Sequence, residues 1–179
     1  MTRRIRLARL TTVEACQALL AIEPLLVPQD ADLLEVVRRA ARQPATRLIG
    51  VVDGAGRLVG VIPVTRVAES IVARVVPESL LVDVADMESA AHFSHSMEDR
   101  VAADIMIAPA STVPSQTIAA AFRAMHQRHL GGLYIVDEDG RPTGYLDLLE
   151  LAIVYVQALA DAAAGGDPDA EGAASDPTD

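Results

Sequence analysis

Residues 48–66, LIGVVDGAGRLVGVIPVTR, decide how this chain is read. Leu48-Ile49-Gly50-Val51-Val52 is a short apolar run rich in β-branched residues, which suits a strand. Asp53-Gly54-Ala55-Gly56 supplies turn chemistry, because glycine takes positive φ without a Cβ clash. Leu58-Val59-Gly60-Val61-Ile62 is a second strand, and Pro63 ends it by lacking a ladder donor. The same pattern returns at residues 133–150, LYIVDEDGRPTGYLDLLE. Asp53, Gly56, Arg57 and Gly60 reappear 84 positions later as Asp137, Gly140, Arg141 and Gly144. Four matches at one offset mark an internal duplication.

Working outward, each copy predicts a β-α-β-β-α unit. In the first, Leu25-Leu26-Val27 is a short strand ended by Pro28. Asp32-x-x-Glu35 is a capping box, and Leu33, Val36, Val37 and Ala40 form one apolar helix face ending near Gln43-Pro44. After the two strands, residues 64–75 read as a helix stopped by Pro77. In the second, Thr112-Val113-Pro114 is matched to Leu26-Val27-Pro28, and Ser115 is placed as the cap of a helix carrying Ile118, Ala121, Phe122 and Met125. The Pro-to-Asp spacing then comes out two residues shorter than in the first copy. Residues 148–160 form the closing helix. Between the copies, residues 80–82 read as extended, 83–97 as a helix, and 100–106 as a short turn or helix. Thr11 or Thr12 caps a helix with Val13, Cys16, Leu19 and Leu20 at helical spacing. The expected division is an arm and helix at 1–24, units at 25–75 and 107–160, a connector at 76–106, and a disordered acidic tail at 161–179. A unit of about 50 residues buries too little surface alone, so two copies packed with pseudo-twofold symmetry are the expected α/β (α+β) architecture.

Composition narrows the function. The 179 residues are 51% hydrophobic but only 3% aromatic, so the core is aliphatic. All 15 basic residues are Arg, and the net charge is −10. An acidic chain without a basic patch argues against nucleic acid and anionic membranes, while a few arginines still suit one small anion. The lone Cys16 cannot form an internal disulfide and suits the reducing cytoplasm. Arg3, Arg4, Arg6 and Arg9 resemble a signal n-region, but Glu14 and Glu23 break the apolar stretch beyond them, so no signal peptide is expected. No apolar run reaches the roughly 18 residues of a membrane span. G-x-S-x-G, HExxH and Cys/His clusters are all missing, so no catalysis is expected.

The duplicated L-x-V-V-D-x-x-G-R-L-V-G-V-I pattern, the preceding helix and the R-V-A-A-D-I-M lead-in at residues 100–106 together resemble a CBS-domain pair, or Bateman module, of the stand-alone bacterial type. The resemblance implies a regulatory module that binds an adenosyl ligand (AMP, ADP, ATP or S-adenosylmethionine) in a cleft between the domains. It also implies a disc-like homodimer that signals to an effector protein. The family's ligand pattern, G-h-x-T-x-x-D after the third strand, puts a hydroxyl on phosphate and an acid on the ribose. Here Pro63 and Arg66 stand at those places in the first copy, and Asp147 and Glu150 in the second. The implied contacts are Thr112, Tyr134, Asp147 and Glu150 for the second cleft, and Val27, Arg47, Thr65 and Arg66 for the first. An unpaired Asp147 would repel a phosphate by about 4 kcal/mol at ~4 Å and an effective dielectric of ~20, unless Arg128 or His129 offsets it. That favours a nucleoside or a cationic adenosyl ligand.

Several residues keep two readings. Asp147 and Glu150 at a helix start serve as cap and dipole partners, or hold a ribose. Thr65 and Arg66 are solvated helix residues or ligand contacts. His92 and His95, with Glu88 and Glu98, form a polar helix face or half of a divalent-metal site. Two alternatives to the ligand sensor therefore stand: a dimerisation and interaction module without ligand, and a Mg2+ sensor.

Overall fold

The computed structural model describes residues 11–20, 22–75, 100–153 and 156. Helix α1 spans Val13–Leu20. Unit 1 comes next as β1 Leu26–Pro28, α2 Leu33–Arg42, β2 Leu48–Val52, β3 Leu58–Pro63 and α3 Val64–Val75. Helix α4, Ala102–Ile105, leads into unit 2: β4 Ser111–Thr112, α5 Ile118–Arg128, β5 Gly132–Val136 and β6 Pro142–Asp147. A closing helix begins at residue 148. The expected elements at 80–97, with His92, His95, Glu88 and Glu98, lie outside the described residues.

Each unit is a three-stranded sheet, ordered β1-β2-β3 or β4-β5-β6, with one parallel and one antiparallel pair. The sequence expectation of a duplicated β-α-β-β-α unit is met. The registers correct one detail. Leu26 pairs with Gly50 and Ser111 with Tyr134, so Leu26 corresponds to Ser111 and Val27 to Thr112. Matching the two Val-Pro dipeptides is one residue out of register. The caps agree with the corrected frame: Asp32 accepts from the Leu34 N–H, and Thr117, 85 positions on, accepts from the Ala120 N–H. Thr117 therefore caps α5, not Ser115. The capping box at Asp32 is also only half realised, since the Glu35 carboxylate pairs with Arg39.

The repeated D-x-x-G-R-x-x-G now has a cause at each position. Asp53 Oδ1 accepts the N–H groups of Ala55 and Arg57, and Asp137 Oδ1 those of Asp139 and Arg141. Gly56 and Gly140 both sit at φ 78°, a conformation that disfavours side chains. The last glycine is a contact requirement. A Cβ on Gly60 would meet Met106 Sδ at 2.5 Å, and one on Gly144 would collide with the Gln17 side chain.

Those two contacts reveal an exchange of lead-in segments. The segment before unit 1 docks on unit 2: Ile118 N–H donates to Thr11 O (2.8 Å), Val13 N–H to Gln116 O (2.8 Å) and Glu14 N–H to Pro114 O (3.1 Å). The segment before unit 2 docks on unit 1 with the matching set: Leu33 to Arg100 (3.1 Å), Ala102 to Ala31 (2.9 Å) and Ala103 to Gln29 (2.8 Å). The cores obey the exchange. Val13 and Cys16 are buried with Ile118, Met125 and Leu146 of unit 2, whereas Ala102 and Ile105 are buried with Leu33, Val36 and Ile62 of unit 1. Burial holds the Cys16 thiol's pKa above its ordinary value.

Candidate functional site

The seam between the units is where candidate residues converge. The N–H of Val64, at the start of α3, donates to Arg47 O, and the N–H of Leu148, at the start of the closing helix, donates to Gly131 O. The two helix starts are thus built alike. Their side chains are not. Arg47 reaches out of unit 1, and its Nη1 lies 2.8 Å from Asp147 Oδ1 in unit 2. The Asp147 side chain is 0% exposed, while that of Arg47 is 43% exposed. Asp147 Oδ1 also accepts the N–H groups of Leu149 (2.9 Å) and Glu150 (3.3 Å), capping the closing helix. Tyr145 Oη donates to Asp147 Oδ2 at 3.2 Å.

This carboxylate is fully engaged, and the phosphate repulsion expected from an unpaired Asp147 is offset by Arg47. Arg128 plays no part in that. Its guanidinium donates to Pro109 O and Ala108 O at 2.7 Å each, and the His129 side chain is exposed. Glu150 differs from Asp147. It is half-buried at the same helix start, and among the described residues its carboxylate makes no hydrogen bond or ion pair.

Two tyrosines finish the seam. Tyr134 is 0% exposed and crosses into unit 1, where its hydroxyl donates to Leu25 O (2.7 Å) or Leu48 O (2.8 Å). Gly50, the unit 1 counterpart of Tyr134, makes this possible, since a Cβ there would lie 2.7 Å from Tyr134 Cζ. The Tyr145 ring stands 5.3 Å from that of Tyr134, tilted by 53°. Its hydroxyl lies over Gly132, where a Cβ would collide with it. Burial pushes both phenols well above their usual range. The Asp147 carboxylate adds to the shift at Tyr145, so both stay neutral donors.

The structure therefore brings Arg47, Tyr134, Asp147 and Glu150 to one seam. Thr65 and Arg66 are on the first turn of α3, Thr65 exposed and Arg66 half-buried. Val27 is in the unit 1 core, and Thr112 lines a separate cavity. Tyr145 was missed by sequence reasoning. Gly132, whose missing Cβ leaves room for the ring, was the available signal.

With this geometry in view, comparison with known proteins gives the class. The CBS-domain family model matches residues 18–73 and 101–156. The chain belongs to the CBS-domain family. No curated protein matches it in sequence. Among solved structures it is similar to a CBS domain-containing protein from Thermotoga maritima, with 22% identity and a TM-score of 0.66 over 84% of this chain and 97% of that one. It is also similar to a CBS domain pair in complex with 5′-methylthioadenosine and S-adenosylmethionine (14%, TM-score 0.61, covering 83% and 98%). A third similar structure is a CBS domain protein from Pyrobaculum aerophilum complexed with AMP (17%, TM-score 0.57, covering 81% and 98%). Among the described residues, no helix is long and apolar enough to cross a membrane.

Proposed function

We propose that this chain is a non-catalytic regulatory module that binds an adenosyl ligand at the seam between its units. On this reading it works as a cytoplasmic homodimer and signals to an effector protein. The observation that carries the reading is Glu150. A half-buried carboxylate with no partner among the described residues, at a helix start beside the seam, is suited to accept both hydroxyls of a ribose. Similar structures complexed with AMP or with S-adenosylmethionine support the ligand class. Because Arg47 matches the charge of Asp147 and keeps further N–H donors toward solvent, the ligand need not be cationic; AMP fits as well as S-adenosylmethionine. Signalling would be a population shift, set by the ligand's different affinity for two dimer arrangements.

Thermal unfolding with AMP, ATP, S-adenosylmethionine and Mg2+ tests this. A ligand at 100 times its Kd adds about 2.7 kcal/mol of stability, a readily measured rise in Tm. The rise is expected with an adenosyl compound and is lost in Glu150→Ala. A rise with Mg2+ alone would point to cation sensing. No rise with any of them would leave the scaffold role, which the closed Arg47–Asp147 bridge favours.

A further inference from the structure

The two units differ at the open edges of their sheets. In unit 1, Glu35 and Arg39 lie one turn apart on α2 and pair at 3.0 Å. Arg39 Nη1 also contacts the carbonyl of Leu26, at 3.4 Å. Leu26 lies on the edge strand β1, and its parallel pairing with Gly50 turns its own N–H and C=O away from β2. Arg39 thus places a guanidinium against an otherwise open edge carbonyl.

In unit 2 the same positions are emptied. Ala120 stands for Glu35, Ala124 for Arg39 and Ser111 for Leu26, each 85 positions on. Where the pair would lie there is a cavity of about 240 Å³, lined by Ser111, Thr112, Gln116, Ala120 and Ala124. That is below the roughly 300–1,000 Å³ of sites for drug-sized ligands, so a nucleotide is too large. The pairing of Ser111 with Tyr134 turns the Ser111 carbonyl to the open edge, as at Leu26. Thr112 replaces the fully buried Val27 and adds a hydroxyl. It is 9% exposed, and its Oγ1 has no hydrogen-bond partner among the described residues. Such a buried, unmatched hydroxyl costs about 1–3 kcal/mol until a partner arrives.

We propose that this cavity binds a guanidinium group, the group that unit 1 supplies from its own Arg39. A planar cation with five N–H donors matches the acceptors present: the Ser111 carbonyl, Thr112 Oγ1 and the Gln116 amide oxygen. Among the described residues that line the cavity none is charged, so an anion finds no cationic donor there. The guanidinium has two possible sources. One is a small molecule. The other is the arginine-rich segment at residues 1–10, with Arg3, Arg4, Arg6 and Arg9. That segment joins the fold at Thr11, two residues from Val13, whose N–H donates to the carbonyl of the cavity residue Gln116 at 2.8 Å.

Isothermal titration with agmatine tests the proposal in the full protein and in the Arg3→Gln/Arg4→Gln/Arg6→Gln/Arg9→Gln variant, each with and without Ala120→Glu/Ala124→Arg or Thr112→Val. Ala120→Glu/Ala124→Arg transplants the pair of unit 1 and should fold at least as well as its parent. Binding to the full protein supports a free small molecule as the source. Binding only to the arginine-depleted variant supports the chain's own segment. In either case Ala120→Glu/Ala124→Arg abolishes binding and Thr112→Val weakens it about tenfold, the effect of losing one hydrogen bond of about 1.4 kcal/mol. Absence of binding to both parent chains, or undiminished binding when Ala120→Glu/Ala124→Arg is added to the chain that binds, overturns the proposal.

Discussion

Units 1 and 2 share a backbone and a turn motif but divide the work at the seam. Unit 1 contributes Gly50 and Pro63 where unit 2 has Tyr134 and Asp147, and it contributes Arg47 where unit 2 has Gly131. Each large or charged group on one side thus faces a small or complementary group on the other. Tyr134 passes over Gly50, and Arg47 reaches Asp147. A symmetric pair with Tyr at both 50 and 134 could not close. The difference teaches that duplication supplies the scaffold, and that the divergence of paired positions shapes the seam.

The lead-in exchange offers the most drastic way to break this comparison. Removing residues 1–22 deletes α1, whose Val13 and Cys16 are buried in unit 2. Hydrogen exchange should show β5 and β6 losing protection before β2 and β3, although the deletion is adjacent to unit 1 in sequence. Equal loss in both units would contradict the exchange.

Filling Gly50 comes next. Gly50→Val places a Cβ against Leu26 and Tyr134, each about 2.7 Å away, and should cost about 3 kcal/mol in denaturant unfolding, the upper part of the overpacking range. Tyr134→Phe should cost about 1–2 kcal/mol, since it removes the buried donor shared by Leu48 O and Leu25 O, of which Leu25 O keeps the Gly50 N–H. The Asp147 bridge should be lopsided. Asp147→Ala removes a helix cap and the partners of Tyr145 and Arg47, about 2 kcal/mol together. Arg47→Ala removes a half-exposed cation from a carboxylate that keeps its other donors, and about 1 kcal/mol or less is expected. Equal costs would mean that the cap contributes little.

The smallest effects lie on the surface. Backbone and side-chain hydrogen bonds from Arg57 hold the Asp53 carboxyl below its ordinary pKa. A lowered folded pKa adds stability above the unfolded value and loses it as pH falls through the folded one. Asp53→Asn should therefore lower the unfolding midpoint at neutral pH, with the gap to the parent closing as the pH falls below the ordinary carboxylate range. Cys16, buried with a raised pKa, should resist alkylation at neutral pH in the folded chain.

The hairpins, both unit helices and the duplication were legible because they rest on local signals: alternation, Gly at positive φ, and apolar spacing. Ser115 and Thr117 are both capping residue types ahead of the same apolar face, and only the hydrogen bond from the Ala120 N–H separates them. The inter-unit partners of Arg47 and Tyr134, and the docking of α1 on unit 2, depend on contacts about 85 to 109 residues apart, which no local pattern encodes. The resemblance implies a first-cleft contact at Arg47, and it is the fold that shows the side chain pairing with Asp147 of unit 2.

The most direct test is isothermal titration of S-adenosylmethionine and AMP into the full chain and into Glu150→Ala. Saturable binding with a Kd of about 1 mM or tighter, lost in Glu150→Ala while the variant stays folded, is the predicted result. A folded parent chain that takes up neither compound, or a Glu150→Ala variant that binds as well as the parent, would contradict the account.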